Sequence, residues 1–423
     1  MKARMMVWLA VTALVAAVAP SETVKSKGVK AFTGARIIDG TGRAAMEKAT
    51  LVIRDDRIEA VGPKAKVPAG AERIDASGKT IIPGLISAHG HVITLDHPGM
   101  YLRSGITTVL SLGGDHEFPL RDMCRNAPPG TAPRLYVAGP IEDSSVIPGS
   151  IAVTTPEEGR RTIDELATHK PDIVKLRVDD FLGARQKMSP EVYQALIDEA
   201  HKNGLRVAAH IVRLEDALGL LRAGVDYIAH SVRDREVNDE FIQLMKKRHV
   251  FYCPTLTREV SMYIYAETPD FFQDPFFLKE ADRAEMARME DPKRQETVRT
   301  DKSALWYKEH LDVAMRNLKI LSDAGVAIAM GTDSGGGPGR FRGYFEHLEL
   351  EYEVKAGLTP MQALVSATGG AAKALKAYDQ IGTLEKGKAA DFLVLDANPL
   401  DDITNTRKID SIWIGGTRVP AKN

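Results

Sequence analysis

Cysteine is almost missing from this chain: Cys124 and Cys253 are the only two in 423 residues. Two thiols make no disulfide framework, even in an oxidising compartment, so stability has to come from a packed core. One bridge between them is conceivable, but they fall on different strand–helix units and are expected as free, buried thiols. Surplus charge is missing as well. Lys and Arg number 56 and Asp and Glu 57, a net charge of -1. That leaves no electrostatic footprint for nucleic acid or an anionic membrane, and points to a small-molecule partner. A membrane-spanning run is lacking too, because the apolar stretch Met5–Val18 falls short of the ~20 residues that cross a bilayer. Preceded by Lys2 and Arg4 and running into Ala17, Val18 and Ala19, it reads as a signal peptide over residues 1–22. No cysteine near the cleavage point could carry a lipid. The mature protein is therefore expected in the periplasm or secreted, with no membrane attachment.

What is present is the composition of a soluble globular protein, 44% hydrophobic and 27% charged. From Gly28 to Thr80, short β-branched runs alternate with turn residues, and the same style returns in Asp391–Leu395 and Ile409–Ile414. Both ends are thus expected to build one small β-sandwich, residues 28–80 plus 380–423, with the intervening residues 81–379 inserted as a second domain. In that insert, apolar strand-like runs alternate with amphipathic helices, the pattern of a parallel sheet with helices outside it. Eight runs fit: Ile81–Val92, Ile106–Leu112, Arg134–Ala138, Asp172–Val178, Arg206–Ile211, Tyr227–Val232, Phe251–Thr255 and Ala327–Asp333. The helix Pro190–Asn203 shows the other half of the repeat, with Val192, Ala195, Leu196 and Ala200 on one face and Gly204 as its stop. Eight such repeats predict an α/β TIM (β/α)8 barrel. One connection, residues 256–303, is too long for an ordinary loop. It carries Tyr263, Tyr265, Phe271, Phe272, Phe276 and Phe277, so a substrate lid and a packing or subunit interface are both open readings.

The first run ends in Ser87-Ala88-His89-Gly90-His91. Residues i and i+2 of a strand share a face, so two imidazoles, the commonest protein ligands of zinc-like ions, point the same way. Alone, His-x-His is a weak signal. Lys175, His210, His230 and Asp333 also stand at the ends of strand-like runs, where a barrel gathers its catalytic groups. Each could be bland by itself, as a core histidine, a snorkelling lysine or a helix cap. Their joint placement is what points to a metal centre. The glycines Gly335, Gly336, Gly337 and Gly339 lack the Lys-Ser/Thr ending of a phosphate loop and read as a loop that lets substrate approach.

The chain resembles the amidohydrolase superfamily, in particular the imidazolonepropionase-like branch with the Xaa-Pro dipeptidases. The carriers are Pro83-Gly84-Leu85-Ile86 before His89-Gly90-His91, Asp172-Ile173-Val174-Lys175, Val207-Ala208-Ala209-His210, Ala229-His230, Gly331-Thr332-Asp333-Ser334 and the closing Ile381–Asp391. The resemblance implies a hydrolase cleaving an amide or peptide C–N bond with two divalent metal ions, zinc-like. His89, His91 and Asp333 would hold the more buried ion, His210 and His230 the more exposed one. Lys175 would bridge both as an N-carboxylated lysine. Asp333 would also be the catalytic proton carrier, from a metal-bridging hydroxide to the departing amine. Many relatives carry an acidic residue where this chain has Ser87, which leaves the orientation of the ligands open. A mononuclear deaminase or cyclic-amide hydrolase on the same fold is the nearest alternative, but the glutamate that shuttles its proton is replaced here by Arg213. A non-catalytic binding protein on this barrel is a third reading, disfavoured by the full ligand set. Arg177, two residues beyond Lys175, is a candidate for gripping a substrate carboxylate, against a structural ion pair with Asp179, Asp180 or another acidic loop residue. Dipeptides, N-acyl amino acids and related amides all remain accessible as substrates, and homo-oligomers are common in the family.

Overall fold

The computed structural model describes residues 28–114, 117–145 and 149–421. The expected signal peptide lies outside the described residues. Among these residues no helix is long and apolar enough to cross a membrane.

Strands from both ends of the chain join in one eight-stranded mixed sheet. Val29–Ile37 lies between Met46–Arg54 and Thr80–Pro83, and Thr80–Pro83 continues into Phe392–Leu395 and then Ile409–Ile414. The ring of Phe32 lies 5.0 Å from that of Phe392 and 5.1 Å from that of Trp413. Strands are spaced about 4.8 Å apart, so contact between strands that are not neighbours requires the sheet to coil around these rings. The uninterrupted run expected over Ile81–Val92 is split. Thr80–Pro83 pairs with Phe392–Leu395, and only Leu85–Gly90 enters the parallel region. Gly84 is the joint, where a Cβ would stand 2.2 Å from Thr107 Oγ1. A side chain there would push the two sheets apart.

The parallel strands follow nearly where the periodicity puts them: Ile106–Ser111, Arg134–Val137, Val174–Arg177, Val207–His210, Tyr227–Ala229 and Phe251–Cys253. They are shorter than the apolar runs, because hydrophobicity continues into buried loop residues after pairing ends. Leu85–Gly90, Ile106–Ser111 and Arg134–Val137 make a three-stranded sheet. The other four pair in order within a six-stranded sheet, whose end is extended by two short strands that periodicity did not reveal, Ile141–Asp143 and Ser150–Ala152. The segment expected as the last strand pairs only through isolated bridges, Ile328 with Tyr252 and Ser334 with Gly90. It nevertheless links the two sheets, because Ala329 N donates to Tyr252 O at 3.0 Å and Ala88 N to Met330 O at 2.8 Å. On the other side Asp172 N donates to Val137 O at 2.9 Å.

The helix Pro190–Lys202 buries Val192, Ala195, Leu196 and Ala200 as its apolar spacing requires. Past its end Gly204 takes a positive φ of 71° and Leu205 N donates back to Ala200 O, the hydrogen bond that closes a helix on a glycine. Residues 256–303 are no bare loop. They fold into Leu256–Ser261, Pro275–Glu280, Arg283–Met289 and Pro292–Thr300. Tyr265, Phe272 and Phe277 are buried there with Met286 and Met289 against Phe341, Tyr344 and Phe345. These aromatic side chains form a separate small core, which favours the packing reading over a substrate lid. Cys124 and Cys253 are free and buried, as expected.

Glu142 is fully buried and neither carboxylate oxygen has a hydrogen-bond partner. Burial alone holds its carboxyl well above the ordinary range. The folded state therefore binds a proton that the unfolded state releases, so the penalty is absent in acid and grows as pH rises through and beyond the unfolded value. Glu142→Met is expected to stabilise the fold by about 1–3 kcal/mol at pH 8 and by much less at pH 4. Urea denaturation at the two pH values measures this, and an equal effect at both would contradict a neutral buried acid.

Candidate metal centre and its cavity

The six residues singled out as ligands line one cavity of about 490 Å³. His89 sits within Leu85–Gly90 and His91 just beyond it, Lys175 lies within Val174–Arg177, and His210 ends Val207–His210. His230 follows Tyr227–Ala229, and Asp333 lies in the bridging segment. They come from five separate stretches of chain, and each is buried. His91 Nε2 is 2.7 Å from Asp333 Oδ1, and His89 Nε2 is 3.6 Å from the same oxygen. One ligand atom from each of these three lies within 4.8 Å of the others. Lys175 Nζ stands 3.4 Å from His89 Nε2, and the His230 ring lies 4.6 Å from that of His89 and 4.2 Å from that of His210.

The second nitrogens show whether these rings suit a cation. His91 Nδ1–H donates to the Gly113 carbonyl at 2.8 Å, and His210 Nε2–H to Asp179 Oδ2 at 3.0 Å. His230 Nδ1 is hydrogen-bonded to Thr255 Oγ1 at 2.7 Å. Each ring is oriented by one nitrogen and keeps the other for a ligand, which is how neutral imidazoles are held at metal centres. Burial keeps His89 and His230 well below the ordinary imidazole range and His210 at about 3. Burial, reinforced by Arg177, brings the Lys175 amine down to about 7. Burial would raise Asp333, but the neighbouring Arg340 guanidinium and the His91 ring hold it well below the ordinary carboxylate range. Neutral imidazoles, an ionised carboxylate and an amine that readily loses its proton make a donor set suited to a divalent ion.

Holding these groups costs conformational strain. His230 (φ 86°), Thr255 (φ 49°) and Asp333 (φ 58°) all occupy left-handed backbone conformations, at about 1–3 kcal/mol each. Close approach is bought with glycine at Gly336, where a Cβ would lie 2.4 Å from Asp333 Oδ1 and 2.7 Å from the His91 ring.

Sequence reasoning missed the carboxylates that stand behind the ligands. Ser87 donates to Glu346 Oε1 at 3.0 Å, and Thr332 and Ser334 donate to the same oxygen at 2.7 Å. A carboxylate from the helix Tyr344–Lys355 thus stands behind Ser87. Its only local signal is a position three residues after Gly343, whose N–H it accepts at 2.8 Å. Buried Glu117, raised to about 8 by burial, accepts from Gly113, Ala138 and Gly139 N–H and so fixes the carbonyl that orients His91.

Three arginines also face the cavity: Arg177, Arg258 and Arg340. Arg177 is ion-paired, but with Asp143 at 2.8 Å instead of Asp179 or Asp180. Asp179 is engaged by His210, and Asp180 pairs with Arg213 at 3.3 Å. Arg213, at the deaminase glutamate position, does not line the cavity.

The Amidohydrolase family profile matches residues 100–419. The chain is 25% identical over 273 residues to ochratoxinase of Aspergillus niger, covering 62% of this chain and 48% of that protein. It is 38% identical over 114 residues to imidazolonepropionase of Deinococcus deserti, covering 26% and 28%. The matched stretch spans half or less of the length of these curated relatives. Among solved structures, a candidate prolidase from Bifidobacterium longum superposes with a TM-score of 0.75 and 28% identity, covering 93% of this chain and 94% of that one. With three quarters of its length matched by that profile, the chain belongs to the amidohydrolase family.

Proposed function

We propose that this protein is an exported, binuclear metal-dependent hydrolase that cleaves the amide bond of a dipeptide, N-acyl amino acid or related small molecule. On this reading the parallel strands close into a (β/α)8 barrel, residues 81–379, inserted in a β-sandwich built from residues 28–80 and 380–423. The single observation that carries the reading is the convergence of His89, His91, Lys175, His210, His230 and Asp333 on one buried cavity. His89, His91 and Asp333 would hold one ion and His210 and His230 a second, and Lys175, if carboxylated by carbon dioxide, would supply an anion to both. Bound there, zinc-like ions supply a water nucleophile at neutral pH and polarise the scissile carbonyl.

The chain's own residues do the rest. Gly113 O, Asp179 and Thr255 keep the ligand rings turned inward. Asp333 Oδ1 faces the reacting centre, takes the proton of the attacking water and returns it to the departing amine. Arg340, paired with Oδ2, holds the carboxylate in its ionised, proton-accepting form. No nucleophilic serine or cysteine is required.

The test is metal analysis of the purified mature protein beside a hydrolysis screen of dipeptides and N-acyl amino acids. Close to two zinc-like ions per chain and a mass raised by one carbon dioxide are expected. A stoichiometry near one with unmodified Lys175 would move the protein to the mononuclear branch. Export is tested separately by the N-terminal sequence of the processed protein.

A further inference from the structure

Five large apolar side chains are exposed among the described residues: Ile93, Leu95, Ile151, Phe181 and Leu305. Four of them stand in segments that follow the first, third and fourth parallel strands, and Ile93 and Phe181 line the metal-centre cavity itself. Singly exposed apolar residues need no explanation, but a pair of them, Ile93 and Phe181, at one cavity does. The Phe181 ring is held in place by two guanidiniums, Arg185 at 4.8 Å and Arg177 at 5.8 Å.

The other end of the six-stranded sheet is different. After Phe251–Cys253, Arg258 and Arg340 present guanidiniums to the same cavity. Arg258 Nη1 pairs with Glu259 Oε2 at 2.9 Å, but the fully buried Arg233 shares that oxygen at 3.2 Å. Arg340 pairs with Asp333, which Arg258 Nε approaches only to 4.0 Å. Arg258 Nε is buried without a hydrogen-bond partner. With Arg340 held by Asp333, Glu259 is left to balance both Arg258 and Arg233. Arg177 is not part of this excess, because Asp143 neutralises it.

We propose that the cavity is polarised for an amphiphilic substrate. Its free carboxylate, on the amine half, binds Arg258, and its apolar acyl half lies on Ile93 and Phe181. The substrate class is an N-acyl amino acid with an apolar acyl chain. This rests on the amide-hydrolase reading above. Water adds across the C–N bond: the carbonyl carbon takes the hydroxyl and leaves as a carboxylic acid, and the nitrogen takes the proton and leaves as the free amino acid.

The zinc-loaded full-length mature protein is assayed on N-hexanoyl-L-alanine, its C-terminal amide and N-acetyl-L-alanine. The free acid is expected to exceed the amide in kcat/KM by at least about thirtyfold, and hexanoyl to exceed acetyl by about tenfold. Arg258→Met should abolish the acid preference and leave the chain-length preference. The fold tolerates it because Glu259 keeps Arg233. Phe181→Ala should do the reverse. Arg177→Met should lower both substrates equally, as loss of a structural pair would. Equal turnover of acid and amide by the unsubstituted protein, or an equal loss on both in Arg258→Met, overturns the proposal. Binding is read independently with N-hexanesulfonyl-L-alanine, a sulfonamide that cannot be cleaved this way, and its amide, by calorimetry. If no carboxamide is hydrolysed the hydrolase reading falls, and the calorimetric preference for the acid still decides whether the anion subsite exists.

Discussion

Asp333→Asn is expected to keep most of its metal and to lose a factor on the order of 10² to 10⁴ in kcat, the range for removing a positioned proton carrier. The two carboxylate oxygens face different partners. Oδ1 is 2.7 Å from His91 Nε2 and turned to the metal centre, while Oδ2 is held by Arg340. An asparagine oxygen can still approach an ion, but the amide cannot accept and return a proton at neutral pH. Metal content by atomic absorption and kcat on the best substrate of the hydrolysis screen separate these roles. Undiminished turnover would remove Asp333 from proton transfer, and parallel loss of metal and turnover would reduce it to a ligand.

Lys175→Ala should behave differently, losing metal and activity together. Its amine is 3.4 Å from His89 Nε2, and burial, with Arg177 adding, has already brought it to about 7. At neutral pH much of it is free amine, the form that captures carbon dioxide, whereas an ammonium would repel two cations. Alanine would remove the anion proposed to bridge the ions, so metal affinity should fall by more than the roughly 10–100-fold typical of losing an outer partner. Turnover should fall with the several kcal/mol of transition-state stabilisation that the ions supply. Short carboxylates such as propionate, which can enter the vacated space, should restore part of both. Full metal content in Lys175→Ala would rule out the bridge.

The two substitutions differ because the groups were legible in the sequence to different depths. The lysine and the histidines could be named from the order of residues, since a strand turns i and i+2 to one face and strand ends share a cavity. Their partners could not. Asp143 holds Arg177 across 34 positions, and Glu346 answers Ser87 across 259. Such pairs have no period, and sequence could name only Asp179 and Asp180, the acids nearest in the chain, beside an unspecified acidic loop residue. The aromatic segment stayed open between lid and packing for a related reason. The burial partners of Tyr265, Phe272 and Phe277, namely Phe341, Tyr344 and Phe345, lie some seventy residues on.

The sequence by itself determined the alternation of strands and helices, the joining of both chain ends, and the six residues that meet at the centre, because these depend on local periodicity and on where strands stop. Only the tertiary structure decided that the run beginning at Ile81 divides at Gly84 between two sheets, since the close approach of Thr107 that demands a glycine exists only in the folded chain. It also decided where charge is balanced and where it is not. Whether a buried guanidinium such as Arg258 is neutral in company or left facing a cavity depends on distances of a few ångströms between segments far apart in sequence, and a charge out of water is governed by those distances alone.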